Sequence, residues 1–490
     1  MSRKSAIVIG SGFAGLSVAT NLASEGYNVD VFEKNDSLGG RARKFTAEGF
    51  TFDMGPSWYW MPDVFENYFE GFGKKVEDYY QLKRLDPSYS VFFKDERLDI
   101  PASFDELCEL FEKYEKGSSE GLKKFLKEAE YKYEVGINDL VYKPGLSLTE
   151  FADWRVVSGA LRLQLFNSLS SHVRKYFKHP YLIELLEFPV LFLGAKPSKT
   201  PALYSLMNYA DIKLGTWYPD GGMHKIVEGM VALAKELGVK FHTSSPVQKI
   251  ITDNGTAIGV QVNGTEMKAN VVVSGADYHH TEQELLSSDL RNYSKEYWEN
   301  RTMAPSSILY YLGLDKKIDG LEHHNLFFDT SFNQHAEEIY GTPAWPKDPL
   351  FYVSVTSKTD PSVAPDNCEN IFILIPTAPG LIEDEEILDS YFDMVMDRME
   401  RRLNQSIREH VIYKKEFGCS NFIKDYNSFK GNAYGLANTL KQTAILKPSL
   451  KNKKVKNLYY TGQLTVPGPG VPPSLISGKV VANQIIKSNL

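Results

Sequence analysis

Residues 6–33 constrain this chain more than any other stretch. Ala6-Ile7-Val8-Ile9 reads as a short buried strand bounded by glycine. Gly10-Ser11-Gly12-Phe13-Ala14-Gly15 follows and opens a helical pattern through Leu16, Ala19, Leu22 and Ala23. A second strand, Val29-Asp30-Val31-Phe32, then ends at Glu33. Strand, glycine turn, helix, strand and acid in this order form the fingerprint of a dinucleotide-binding βαβ unit. Gly10 permits the tight turn, Gly12 lets the backbone approach a pyrophosphate, and Gly15 lets the helix pack closely on the sheet. The helix N-terminus offers free N–H groups and positive partial charge to the phosphates. Glu33 is placed to accept hydrogen bonds from a ribose.

NAD and FAD share this fingerprint, so the residues beyond it must decide between them. Gly39-Gly40-Arg41 puts a second glycine pair just after the second strand, and Asp53-Met54-Gly55-Pro56-Ser57-Trp58 adds another turn. The string from Gly10 through Glu33 to Arg41 resembles the extended FAD motif of the amine oxidase and phytoene desaturase superfamily. The resemblance implies FAD, with Gly39, Gly40 and Arg41 approaching the pyrophosphate; no His or Cys stands at an evident attachment point, although His224 is close to one, so non-covalent binding is expected. It also implies that Gly55, Pro56, Ser57 and Trp58 lie near the flavin. Ser11, Phe13, Ala14 and Lys34 complete the two turns and join the expected cofactor set.

Two distant segments carry the same resemblance. Gly215-Thr216-Trp217-Tyr218-Pro219-Asp220-Gly221-Gly222-Met223 is similar to a motif of bacterial-type phytoene desaturases and precedes a helical pattern from Ile226 to Ala234. Strands are expected at 239–241, 247–251 and 271–274, the last returning to Gly275. In the superfamily these strands rejoin the FAD unit, and a residue at the position of Val247 touches the adenine through its backbone. Near the C-terminus, Asn457 to Gly462 reads as a strand entering a glycine turn. Pro467-Gly468-Pro469-Gly470-Val471-Pro472-Pro473-Ser474 then leads into a helix from Leu475 to Ile486. Such a proline-glycine turn is rigid and can press backbone against a flat ligand, and the following helix aims its N-terminus there. The resemblance implies that this ligand is the isoalloxazine, with Gly462, Gln463, Gly470, Val471, Pro472 and Ser474 beside it. Gln463-Leu464, Val466 and Pro469 depart from the residues usual in the family.

The expected fold is α/β. A discontinuous Rossmann-like FAD-binding domain takes 1–75, 215–280 and 430–490. An α+β substrate domain, with a mixed sheet and a helical membrane-facing part, takes 76–214 and 281–429. Within it, 155–178 carries Arg155, Arg162, Arg174, Lys175 and Lys178 and no acid, among apolar Val156, Leu163, Phe166, Leu169, Val173 and Phe177. That reads as a basic amphipathic helix at a membrane surface or as a core helix with a wet basic face. Phe188 to Leu193 and Tyr204 to Met207 are candidates for lining an apolar tunnel.

Composition excludes other classes. Lys plus Arg is 55 against 62 Asp plus Glu in 490 residues, a net charge of −7, which argues against a nucleic-acid partner. The three cysteines are widely spaced and the histidines show no ligand spacing, so neither a disulfide framework nor a metal site is expected. No signal peptide is apparent, and prolines interrupt the uncharged run 458–478. The protein is expected in the cytoplasm, peripherally associated with the cell membrane. The resemblance implies an FAD-dependent oxidoreductase acting on CH–CH groups: a carotenoid desaturase converting phytoene stepwise toward lycopene. It implies a C40 carotenoid substrate and a quinone or oxygen as electron acceptor. Asp211, just before the Gly215 motif, is the candidate proton acceptor. The alternatives are a 3,4-desaturase, oxygenase or isomerase on a later carotenoid, a flavin amine oxidase, or a non-enzymatic isoprenoid-binding protein.

Overall fold

A computed structural model describes residues 4–147, 167–194, 196–439 and 441–488. Its five-stranded sheet is wholly parallel, in the order Leu458–Tyr460, Val271–Ser274, Ser5–Ile9, Asn28–Phe32 and Lys240–His242. Parallel strands need crossovers, and the first is the helix Phe13–Ser24. Ten of its twelve residues are buried, all but Asn21 and Ser24, because the sheet covers one side and the helix Val471–Lys487 the other. Two features let the helices approach so closely. A Cβ on Gly478 would lie 2.5 Å from Ala14 O, and Ser17 Oγ donates to Leu475 O at 2.7 Å.

The second sheet is mixed and has seven strands. Its order is Val411–Phe417, Ser306–Leu314, Glu369–Thr377, Phe351–Ser354, His324–Phe328, Tyr89–Phe93 and Arg97–Ile100. All neighbours are antiparallel except His324–Phe328 with Tyr89–Phe93. Its five inner strands are buried at nearly every position because both faces are covered. The two-residue period sends Leu309, Tyr311, Leu326, Tyr352, Phe372 and Leu374 to one face, into the core shared with the parallel sheet. Tyr310, Leu312, Phe327, Val353, Ile371 and Ile373 go to the other. There they meet Tyr391, Phe392, Val395, Met396 and Met399, the apolar stripe of the helix Glu385–Leu403.

The basic segment differs from its expected form. Residues 155–166, with Arg155 and Arg162, lie outside the described residues. Beyond them no single helix runs to Lys178. Ser168 is extended and caps a short helix, Leu169–Val173, by accepting from Ser171 N. Leu169, Val173 and Phe177 are fully buried, and Arg174 pairs with Glu187. This half of the segment is core with a basic edge. Among the described residues no helix is long and apolar enough to cross a membrane.

A Cβ on Gly15 would stand 2.0 Å from Gly10 O, a backbone atom that cannot yield cheaply. Gly15→Ala is therefore expected to lower stability by about 1–3 kcal/mol, read as a lower urea midpoint at unchanged slope. An unchanged midpoint would show that the turn relaxes freely.

Candidate functional site

Beneath the inner face of the seven-stranded sheet, against the carboxyl ends of the parallel strands, lies a cavity of about 540 Å³. Gly10, Ser11, Gly12, Phe13 and Ala14 line it, as do Glu33, Lys34, Gly39, Gly40 and Arg41. So do Gly55, Pro56, Ser57 and Trp58, then Val247 and Gly275, then Gly462, Gln463, Gly470, Val471, Pro472 and Ser474. Segments more than 400 residues apart in sequence thus converge on one space. Gly15 faces away from it, against Gly10 and Val8.

The glycine turns are docked on each other. Gly39 N donates to Ser11 O at 3.2 Å and to Ser11 Oγ at 3.1 Å. Gly40, at φ 56°, lies so near Gly12 that a Cβ on it would be 3.1 Å from Gly12 Cα. Glu33 fastens the arrangement. Its Oε2 accepts from Ser11 N and Ser11 Oγ at 3.0 and 2.7 Å, and its Oε1 accepts from Asn35 N and Asn35 Nδ2, each at 3.0 Å. Those four bonds fill the acceptor sites of a carboxylate. Expected as a ribose acceptor, Glu33 serves first as the clamp of the two turns.

The site fits a dinucleotide with a flat ring system, and three observations carry the fit. A Cβ on Gly12 would meet nothing within 4 Å, so the turn opens onto free space where a pyrophosphate can approach the backbone. Two helices whose N-termini reach the cavity start without a side-chain cap, one at Gly12, leaving the N–H groups of Phe13 and Ala14 for a ligand, and one at Gly470, where Pro472 and Pro473 carry no N–H and only that of Val471 remains. Arg41 is half-buried, with Nη2 donating to Ser428 Oγ at 3.0 Å while its buried Nε has no partner among the described residues. Burial lowers its pKa and the Asp277 carboxylate opposes that shift. An arginine so placed suits an anionic ligand.

The Asp53 turn is held by the Gly215–Met223 motif. Asp53 accepts from Met223 N at 2.7 Å and His224 N at 2.9 Å, capping the helix His224–Glu236. Burial raises its pKa to about 6 against these bonds. The motif thus braces the cavity wall from behind and does not line it. A Cβ on Gly55 would lie 2.6 Å from Arg41 O, so this turn also rests on the Gly-Gly-Arg segment.

Asp211 does not line the cavity. It is buried, accepting from Tyr89 Oη at 2.8 Å and Thr216 Oγ1 at 3.3 Å, and burial raises its pKa to about 7. Trp60, a cavity residue, donates through Nε1 to the same Thr216 hydroxyl at 2.8 Å. Asp211 therefore fixes a wall residue at one remove, which corrects its expected place as the proton acceptor. Residues that the sequence did not single out complete the walls. Asn35, Asp277, His280, Asp425 and Tyr426 stand at the polar end; Trp60, Leu309, Tyr352, Phe372, Leu374 and Tyr434 stand at the apolar end, where they join Met207, which the sequence placed at an apolar tunnel. Among the described residues no cluster of three potential ligands could hold a metal ion.

A family model described as flavin containing amine oxidoreductase matches residues 13–486. A carotenoid 3,4-desaturase of Haloarcula japonica is 43% identical over 489 residues, 99% of this chain and 99% of the relative. A zeta-carotene-forming phytoene desaturase of Myxococcus xanthus is 30% identical over 490 residues, 98% of this chain and 93% of the relative. The crystal structure of an oxidoreductase from Methanosarcina mazei shares the fold at a TM-score of 0.66 and 16% identity, covering 98% of this chain and 100% of that one.

Since the space at Gly12 is open, Gly12→Val is expected to keep the urea midpoint of the parent protein while losing most bound flavin, read as absorbance per protein after gel filtration. Full flavin retention would show that the pyrophosphate lies elsewhere. Asp211 supplies a second test. Its raised pKa means that the unfolded state ionises first, so stability falls as pH rises from about 4 to about 7 and levels off above. Across that window the parent should lose up to ~1.4 kcal/mol per pH unit relative to Asp211→Asn. Parallel stability curves would mean that Asp211 titrates normally.

Proposed function

The chain belongs to the flavin containing amine oxidoreductase family, within the carotenoid desaturases, and from that premise we propose that it introduces a carbon–carbon double bond into a carotenoid. It is a flavoprotein oxidoreductase acting on CH–CH groups, and its cofactor is FAD. The observation that carries the substrate reading is the apolar end of the cavity. Trp58, Trp60, Met207, Leu309, Phe372 and Leu374 offer a long hydrocarbon contact without charge.

When bound, FAD supplies the two-electron acceptor that takes a hydride from an allylic carbon. This chain's residues do the positioning. The N–H groups at Phe13 and Ala14 and the Arg41 guanidinium would hold the pyrophosphate. The Asp53–Trp58 turn and the Gly462–Ser474 turn would hold the ring system. The aromatic shelf orients the polyene so that its reacting carbons sit at contact distance, and it keeps water out. The segments 1–75, 215–280 and 430–490 serve the cofactor, and 76–214 and 281–429 serve the substrate. Peripheral attachment to a membrane, where such a substrate dissolves, and reoxidation by a quinone or oxygen complete the proposal.

The finer reading is 3,4-desaturation of an already conjugated carotenoid. It is favoured by the 43% full-length identity to the Haloarcula japonica enzyme, against 30% to the Myxococcus xanthus phytoene desaturase. Desaturation of phytoene, the sequence expectation, is the second reading and rests on that latter relative.

Anaerobic incubation of the FAD-loaded protein with vesicles holding either lycopene or phytoene tests both. Flavin bleaching with lycopene and a longer-wavelength pigment on chromatography is the expected result. Bleaching with phytoene alone would move the assignment to the second reading. Bleaching with an amine and neither carotenoid would contradict the proposal.

A further inference from the structure

Desaturation of a CH₂–CH₂ unit releases a hydride and a proton, and Asp211 is not at the cavity to take the proton. The acids that do line the cavity are engaged within the protein. Glu33 is filled by Ser11 and Asn35, Asp277 accepts from His280 N and Phe429 N, and Asp425 pairs with Arg43. All three stand at the polar end.

The sheet side carries a different arrangement. Tyr352 lines the cavity at 3% exposure, and its hydroxyl is 2.6 Å from His324 Nδ1 on the neighbouring strand. The His324 ring is fully buried and stacks on Trp58, with centroids 4.1 Å apart and planes 12° from parallel. Its Nε2 has no hydrogen-bond partner among the described residues. Trp58 belongs to the turn that flanks the flavin in the proposed function. The pair is therefore held beside the space where both cofactor and substrate would react, by a hydrogen bond on one side and a stacked ring on the other.

We propose, on the basis of that function, that Tyr352 Oη takes the proton from the substrate carbon adjacent to the hydride-donating one while passing its own phenolic proton to His324 Nδ1. One substrate C–H bond gives its hydride, with two electrons, to the bound FAD. The neighbouring C–H bond breaks heterolytically, and its electron pair becomes the new C=C bond. At Tyr352 one O–H bond forms as the other breaks, and at His324 an N–H bond forms, leaving an imidazolium that loses its proton to solvent after product release. Tyr352 is the proton acceptor, and His324 is the positioning residue behind it.

The chemistry of the pair suits this role. Burial, helped by the adjacent His323 ring, holds His324 far below its ordinary titration range, so the resting ring is neutral, and in the tautomer with its proton on Nε2 the Nδ1 atom accepts from Tyr352 Oη. His323 is itself occupied by Thr359 Oγ1 at 2.7 Å from Nδ1. A weak base suffices, because a carbon next to a centre that has lost hydride gives up its proton readily.

The test compares FAD-loaded parent, Tyr352→Phe and His324→Gln proteins, anaerobically, with lycopene or phytoene in phosphatidylcholine vesicles. Both variants are expected to keep their FAD and the quenching of tryptophan fluorescence by the polyene. Turnover should fall by about 100-fold or more in Tyr352→Phe with little change in KM. A second readout follows the reverse proton transfer. Dithionite-reduced protein incubated with the desaturated product in D₂O should place deuterium in the carotenoid, detected by mass spectrometry, in the parent and in neither variant. Tyr352→Phe protein that turns over and exchanges within about threefold of the parent would overturn the proposal, as would losses that only track weaker polyene binding. A parent protein that holds FAD yet bleaches with neither carotenoid would overturn the proposed function, and the proton pair with it.

Discussion

The mutual docking of two glycine turns governs this molecule. Gly40 can reach Gly12 because Gly40 carries no side chain, and Glu33 can accept from Ser11 only when the turns are so placed. From that contact follow the direction of the helix Phe13–Ser24, the opening of its uncapped N-terminus, and the position of Arg41. The Asp53 turn then rests on Arg41, and the helix His224–Glu236 is capped by Asp53. A succession of close backbone approaches thus builds one wall of the cavity.

The cavity divides by chemistry. Its polar end carries Arg41, Lys34, Glu33, Asp277 and Asp425 around the helix N-terminus, a setting for a charged dinucleotide. Its apolar end is the inner face of the seven-stranded sheet together with Trp58 and Trp60. Buried acids stand behind the walls, and desolvation raises Asp53 to about 6 and Asp211 to about 7. Each is retained because it organises a neighbour, Asp53 a helix start and Asp211 the Thr216 hydroxyl that anchors Trp60. Removing such a group leaves its donors unpaired in an apolar setting, which costs more than the bond itself contributed.

Much of the cofactor wall was legible in the sequence because close backbone approach leaves a local signature. Gly10 to Gly15, Gly39-Gly40 and the proline-glycine turn before Val471 can be read directly, since few residues tolerate those conformations. The sheet wall was not legible. Leu309, Tyr352, Phe372 and Leu374 alternate with Ile308, Val353, Ile371 and Ile373 in strands apolar on both faces, so no polarity contrast tells cavity from core. Asp211 was misplaced for a related reason: proximity to a glycine motif in sequence does not say which side of the wall a side chain takes. The basic segment misled because five positive charges suggested one continuous helix, whereas Ser168 interrupts it and the apolar residues after it face the core.

A crystal structure of the FAD-loaded protein measures directly where the cofactor's two ends lie. The pyrophosphate is expected within hydrogen-bonding distance of the Phe13 and Ala14 N–H groups and of Arg41 Nε. The isoalloxazine is expected between the Asp53–Trp58 turn and the Gly462–Ser474 turn, with the Tyr352–His324 pair beside it. Electron density for FAD that leaves Gly12 and Arg41 uncontacted, or that fills the aromatic shelf instead, would contradict this placement.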